Sequence, residues 1–459
     1  MSRASRSRRI VRCAAAPCVG RSRLAVAVWV AGLALAGPTL ADTPPCGPFE
    51  PFEKASVQVA LASAEPGVAP AQPSGDITTL PEPADDLGAA PRGEALLALP
   101  KDSAGGIPTD IGLAPGASIA SSYWSPVLCA TVARVVGPPD LEPAALVPGL
   151  PPTAAVVPNS VYATAQAVVT PAPAPPPATG PDPYRPLQYA LDWLRADRAR
   201  TLTNGAGVRV ALLDSAPARH RDLPPIEIVP IEEGPPADIG AHGTLSAGVL
   251  AAIERNAFGI EGVAPGAEIV AIPVCTPQGA SASDRCLLYD LLRGVDRAYD
   301  TTARVVNLSL VGPANPLLER SMARLDELGV LVVAAAGNEG TDEPRYPAAY
   351  PTVIGVGAAD RERRAYARSN RGLSAEIYAP GVEILSSVPG DSFAFGSGTS
   401  FAAANVSGAL SLLLGTGATP AEVRAALFRQ AAEASEGQPL TLVPSLCDVL
   451  ARLGRTCAP

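Results

Sequence analysis

Histidine is almost missing from this chain: 459 residues contain two, His220 and His242. A zinc centre or a relay of imidazoles needs more, so clustered histidine metal chemistry is excluded and any histidine base must be one of these two. Aromatic residues make up 4% and charged residues 17%, so a core has to be built from small aliphatic side chains. A basic surplus is also missing. Taking the seven arginines before residue 24 out of the overall −9 leaves −16 for residues 42–459, which argues against nucleic acid as a partner. The apolar run Leu24–Ala36 has thirteen residues, short of the ~20 needed to span a bilayer.

That run follows the arginines and precedes Pro38, with Ala34-Leu35-Ala36 or Thr39-Leu40-Ala41 as small-residue cleavage sites. Residues 1–41 are expected to be a signal peptide, and the chain to be exported to the periplasm or beyond the cell, without membrane attachment after cleavage. An uncleaved anchor is the alternative. Removal of the leader takes Cys13 and Cys18 and leaves six cysteines. An even number in an exported chain favours disulfides. Cys275 with Cys286, and Cys447 with Cys457, are close in sequence, and Cys46 with Cys129 follows by elimination. Buried free thiols are the alternative.

Proline is abundant, and 29 of 51 lie between Pro44 and Pro186. The stretch Thr170–Pro186 reads as an extended spacer, because each ring fixes φ and removes a donor. A Pro-rich linker over 167–186 is therefore the clearest boundary. Residues 42–119 give no firm pattern and are expected to be low-complexity and partly disordered. Strand-like runs at Val127–Val136 and Val156–Tyr162 suggest a small α+β unit over 120–166.

Residues 187–459 show regular alternation. Short apolar strands are expected at Val208–Leu213, Glu268–Val274, Arg304–Leu310, Val330–Ala336 and Thr352–Ala358. Helix-period segments run over His242–Ile253, Leu287–Tyr299, Pro316–Leu328, Thr399–Leu414 and Pro420–Ala432. Strands apolar on both faces and alternating with helices predict an α/β fold, a doubly wound and mostly parallel sheet. Sites in such sheets lie beyond the carboxyl ends of the strands.

Four polar motifs fall there. Asp214 ends the first strand, His242 opens a helix in Ala241-His242-Gly243-Thr244, Asn338 follows a strand in Ala336-Gly337-Asn338, and Ser400 opens the most apolar helix after Gly398-Thr399. A serine hydroxyl needs an imidazole to take its proton, and the imidazole needs a carboxylate to hold its tautomer. The Asn338 carboxamide and the Ser400 backbone N–H would donate to developing negative charge. Singly, each motif has a plainer reading as a turn or cap residue. Asn307-Leu308-Ser309 and Asn405-Val406-Ser407 match a glycosylation pattern only inside expected core elements.

Order and spacing resemble the subtilases, the subtilisin-like serine peptidases, over about residues 187–430. The matching motifs are Asp214-Ser215 with His220-Arg221-Asp222-Leu223, His242-Gly243-Thr244 with Gly262-Val263-Ala264-Pro265, Ala336-Gly337-Asn338, and Gly398-Thr399-Ser400. The resemblance implies catalytic Asp214, His242 and Ser400, an oxyanion hole at Asn338, polypeptide substrates and a subtilisin-like fold. It leaves His220 as a turn residue. Ser309, Leu310, Val311 and Gly312 resemble one wall of the primary specificity pocket, Ala334–Gly337, with Ala336 and Gly337, the opposite wall, and Gly279–Ser283 the edge that pairs with an extended peptide. Arg345 falls near the pocket floor by the same matching, which implies a bias toward acidic or against basic residues; an exposed arginine is the alternative. Val156–Tyr162 resembles the last strand of the family's inhibitory propeptide, with release by cleavage in the Pro-rich spacer.

Four positions depart from the family pattern. Ala216 and Ala241 stand where glycines are usual, and Ala404 and Asn405 where proline and histidine are. If either of the first two needs positive φ, strain of about 1–2 kcal/mol follows. No metal ligands and no cofactor are assigned, and calcium stays open. The expected protein is an exported serine endopeptidase acting through an acyl-enzyme; the alternative is a catalytically impaired binding module with the same fold.

Overall fold

The computed structural model describes residues 90–100, 111–150, 153–165, 168–173, 182–234, 237–278 and 283–458. The expected signal peptide, Cys46 and most of 42–119 lie outside them.

Strands β1 (Glu94–Pro100), β2 (Ser118–Ser125), β3 (Ala130–Val136) and β4 (Ala155–Pro158) form an antiparallel sheet in the order β2-β3-β1-β4. Alternation sends Ala95, Leu97 and Leu99 to a face shared with Leu146 and Val147, and Leu96 and Ala98 to the opposite face. The folded unit thus includes β1, from the stretch 42–119 expected to be low-complexity and partly disordered. Val156–Tyr162 is not one strand. It breaks after Pro158, where Asn159 turns its Oδ1 to accept the Tyr289 N–H and its Nδ2 to donate to Glu94. Strand β5 (Val161–Thr164) then enters a different sheet, and β6 (Val168–Pro171) a third.

Short helices α1 (Tyr189–Leu194) and α2 (Ala196–Ala199) lead to β7 (Arg209–Asp214), β8 (Glu227–Ile228), α3 (Ala241–Ala251) and β9 (Glu268–Pro273). Next come β10 (Cys275–Thr276), β11 (Arg285–Leu287), α4 (Leu288–Asp300), β12 (Val305–Leu308), β13 (Leu310–Val311) and α5 (Pro316–Glu327). The chain ends through β14 (Leu331–Ala335), β15 (Ile354–Ala359), β16 (Ile377–Pro380), the hairpin β17 (Ile384–Val388) and β18 (Ser392–Ser397), then α6 (Thr399–Leu414), α7 (Pro420–Ala434) and α8 (Leu446–Arg452).

Seven strands make a parallel sheet in the order β16-β15-β14-β12-β7-β9-β8. Both faces are covered, as the uniformly apolar strands predict. Val210, Leu212, Val305, Leu331 and Val333 pack in the cluster that holds residues of α3, α6, α7 and α8. Ala211, Leu213, Val306, Val332 and Ala334 pack in the cluster of α4 and α5. Residues Leu96, Ala98, Val132 and Val157 of the N-terminal sheet join that second cluster, so the sheet rests beside α4. After β7 the chain builds β9 on one side, then crosses to build β12 on the other. This reversal of winding opens a crevice at the carboxyl end of β7, where Asp214 lies. Every residue of α6 is buried, which accounts for an apolar surface on all sides.

Candidate active site

Asp214, His242 and Ser400 meet at that crevice. His242 Nδ1 stands 2.8 and 2.9 Å from the two Asp214 oxygens, and Nε2 stands 3.0 Å from Ser400 Oγ. Asp214 is buried and held by three donors: the Ser215 N–H at 2.7 Å, the Ser215 hydroxyl at 3.3 Å and the Ser246 hydroxyl at 3.2 Å. An Nδ1 proton facing a carboxylate leaves the Nε2 lone pair for the serine proton. Burial by itself pushes the His242 imidazolium down, but the charge and hydrogen bond of Asp214 outweigh it, and the pKa is raised above 6.5.

Among the described α-helices, the two that begin at the site are those whose N-cap is glycine. Asn315, Thr419 and Ser445 cap α5, α7 and α8 with their side chains, whereas α3 and α6 start from Gly240 and Gly398 without a side-chain cap. The Thr-Ser pair is therefore no N-cap. Thr399 instead accepts the Gly337 N–H on its hydroxyl at 3.0 Å and donates its own N–H to Asn338 Oδ1 at 2.9 Å. Gly337, at φ 103°, turns the chain from β14 into Asn338. With the carboxamide oxygen engaged by Thr399, the NH2 end of Asn338 is the donating end, and the Arg368 guanidinium steadies the Asn338 carbonyl at 3.2 Å.

The crevice is occupied by the chain itself. Strand β5 lies between β11 and β13, antiparallel to both. The Thr164 N–H donates to the Asp284 carbonyl and the Ala165 N–H to the Ser309 carbonyl, each at 3.0 Å. The Ala165 carbonyl oxygen then stands 3.0 Å from Ser400 Oγ. Beyond the site β6 pairs antiparallel with β18. The resembling strand is expected to end at Tyr162; the chain runs three residues further, into the crevice. A continued alternating run, Val161-Tyr162-Ala163-Thr164-Ala165, was the available signal.

Leu310 and Val311 are paired with Thr164 and Ala163, beside the Ser309 contact. Gly312 exchanges two hydrogen bonds with Tyr346. Ala336 is tied to Val356 and to Asn370, and with Gly337 forms the lead into Asn338. Residues 279–282 lie outside the described residues, and the edge that pairs with β5 is Arg285–Leu287, just beyond them. Arg345 stands 3.2 Å from Glu343 and 3.8 Å from Glu339, so two carboxylates offset its charge. Ser215 and Thr399 stand in the matched motifs without an assigned role, and Ser246 and Asp284 lie outside them, with nothing in local pattern to distinguish them from other polar residues.

His220 lies outside this constellation. Its Nδ1 accepts the Asp222 N–H, its Nε2 meets the Ser392 carbonyl at 3.1 Å, and Phe393 packs edge-on against the ring. Around Glu254–Gly259, Asp182 receives the Arg255 and Asn256 N–H groups and Glu254 pairs with Arg200. Those carboxylates accept from protein groups. Among the described residues no group of three or more His, Cys, Asp or Glu side chains could hold a metal. Cys275–Cys286 and Cys447–Cys457 are disulfides. Cys129 is also disulfide-bonded, and Cys46, its expected partner, lies outside the described residues.

The subtilase family model matches residues 205–443. An intracellular serine protease of Paenibacillus polymyxa is 37% identical over 242 residues, 50% of this chain and 72% of that protein. Subtilisin BL of Lederbergia lenta is 37% identical over 212 residues, 46% of this chain and 77% of the relative. Thermitase of Thermoactinomyces vulgaris is 33% identical over 253 residues, 54% and 89% of the two chains. A solved structure, the prenylagaramide maturation protease PagA, matches with a TM-score of 0.50 at 28% identity, covering 57% of this chain and 99% of that one.

Proposed function

The chain belongs to the subtilase family and is a serine endopeptidase, and from that premise we propose that Asp214, His242 and Ser400 are its catalytic triad. The observation that carries the reading is Ser400 Oγ, 3.0 Å from both His242 Nε2 and the Ala165 carbonyl oxygen. His242 takes the hydroxyl proton as Oγ attacks the carbonyl carbon, and Asp214 stabilises the imidazolium. Asn338 Nδ2 and the Ser400 N–H, the latter at an uncapped helix start, receive the oxyanion. His242 then passes its proton to the leaving amine, and water, deprotonated in turn by His242, hydrolyses the acyl-enzyme.

The first substrate is the chain itself. Ala165 supplies the carbonyl, so the bond to break is Ala165–Gln166, and the N-terminal unit expected over 120–166, extended upstream to β1 and ended at Ala165, is a propeptide. Gln166 and the expected linker 167–186 then become the leading segment of the peptidase, 187–459. Substrate contacts fall to Ser309, Leu310, Val311, Gly312, Ala336 and Gly337. Arg345, its charge offset, serves as a wall rather than as an attractor of acidic residues. Export is supported by the leader at 1–41 and by disulfides, which form in oxidising compartments; the Paenibacillus relative, by its name, is intracellular. The impaired-module reading loses its motive, since neither Ala216 nor Ala241 has positive φ.

N-terminal sequencing of the purified protein tests this directly. The wild type should begin at Gln166 and react with a serine-directed phosphonate, and Ser400→Ala should remain uncut and unlabelled. A Ser400→Ala chain that still matures at Gln166 in purified form would sink the self-cleavage, and an unlabelled, correctly processed wild type would sink the triad.

A further inference from the structure

The strand lying in the crevice presents side chains as well as backbone. Tyr162, fully buried, donates its hydroxyl to the Pro313 carbonyl at 2.8 Å. Its ring fills the space beside Gly312, where a Cβ would run into it. Two residues on, Thr164 is buried and accepts the Asp284 N–H on its hydroxyl at 2.8 Å. The two contacts go to different partners, Pro313 and Asp284, and Ala163, between them, has no polar side chain and is held by pairing with Arg285 and Val311. Ala165, at the bond itself, is buried.

Backbone pairing selects no sequence, but a half-buried carbonyl and a buried N–H that each meet a hydroxyl do. We infer that this cleft recognises hydroxyl-bearing side chains on extended peptides, tyrosine four residues and threonine two residues before the scissile bond, through Pro313 O and the Asp284 N–H. Tyr162-Ala163-Thr164-Ala165 is the first such sequence the enzyme meets. A phenylalanine at the first position keeps the ring and takes the hydroxyl away from the Pro313 carbonyl. A valine at the second keeps the shape and strands the Asp284 N–H.

The inference rests on the peptidase reading, and the processed enzyme can separate the two. Fluorogenic peptides spanning Tyr-Ala-Thr-Ala-Gln are compared with versions carrying phenylalanine for tyrosine, valine for threonine, and both. Each single change should lower kcat/KM about 3- to 10-fold, the worth of one buried neutral hydrogen bond, and the double change by about the product. Equal cleavage of all four peptides by an enzyme that reacts with the serine-directed phosphonate at Ser400 overturns the inference and leaves the peptidase reading intact. No cleavage of any peptide, with no labelling of Ser400, overturns both.

Discussion

The two histidines occupy two regions of one fold, both largely buried, and their chemistry runs in opposite directions. His220, in the loop after β7, has backbone and aromatic neighbours. Burial lowers its pKa below 6.5, and the two backbone contacts hold a neutral ring, Nδ1 accepting and Nε2 donating. His242, at the start of α3, is desolvated too, yet Asp214 reverses the sign. A carboxylate partner, rather than depth in the protein, separates a base from a packing residue.

Removing each ring tests the difference at its largest. His242→Ala should slow self-cleavage and peptide hydrolysis by at least about 10²–10⁴-fold; a His220→Ala protein slowed as much would make the assignment wrong. Asp214→Asn erases the charge that distinguishes the two sites. It should cost about 10³–10⁴-fold in kcat and drop the His242 titration, followed by NMR, toward that of His220. Asn338→Ala leaves both rings in place and should still cost about 10²–10³-fold in kcat with a smaller change in KM, a figure carried over from a subtilisin rather than obtained from this geometry.

Smaller effects sharpen the contrast through stability. His220→Ala removes two hydrogen bonds and the Phe393 contact, and urea melts should show a loss of about 1–3 kcal/mol. The pH slopes should oppose each other. For His220 the unfolded chain binds more protons, so its contribution to stability is present above about pH 6.5 and lost as pH falls through the lowered folded value. For His242 the folded chain binds more, so the contribution is present below about 6.5 and fades as pH rises through the raised value. Self-cleavage needs the neutral imidazole, and its acid limb should lie above 6.5. Melting curves from pH 5 to 9 check the signs: the slope of stability against pH should be more negative than wild type in His220→Ala and more positive in His242→Ala.

Much of the catalytic half was legible. The expected strand Val208–Leu213 and the observed Arg209–Asp214 differ by one residue at each end, and Glu268–Val274 closes at Pro273. These strands are buried on both faces, so unbroken apolar runs announce them. The β17–β18 hairpin escaped because Ser386, Ser387 and Ser392 interrupt its apolar pattern. Strand β1 escaped for another reason: Glu94–Pro100 is a short run in Pro- and Ala-rich surroundings, and only its partners on either side, β3 and β4, make it a central strand. Asn307 and Asn405, discounted as glycosylation sites, are both buried and hydrogen-bonded.

By itself the sequence determined the layered α/β plan, the shortage of histidines that narrowed the base to two residues, and the order Asp214, His242, Asn338 and Ser400. Those properties are local: side-chain period, turn chemistry, and residue type at strand and helix ends. Only the tertiary structure decided that Asp214 holds the ring of His242 and not that of His220, and that Ala165 meets Ser400 across 235 positions of chain. Strand pairing over such separations is set by which edges the folded sheet leaves open, here β11 and β13, and no periodicity in the sequence records that.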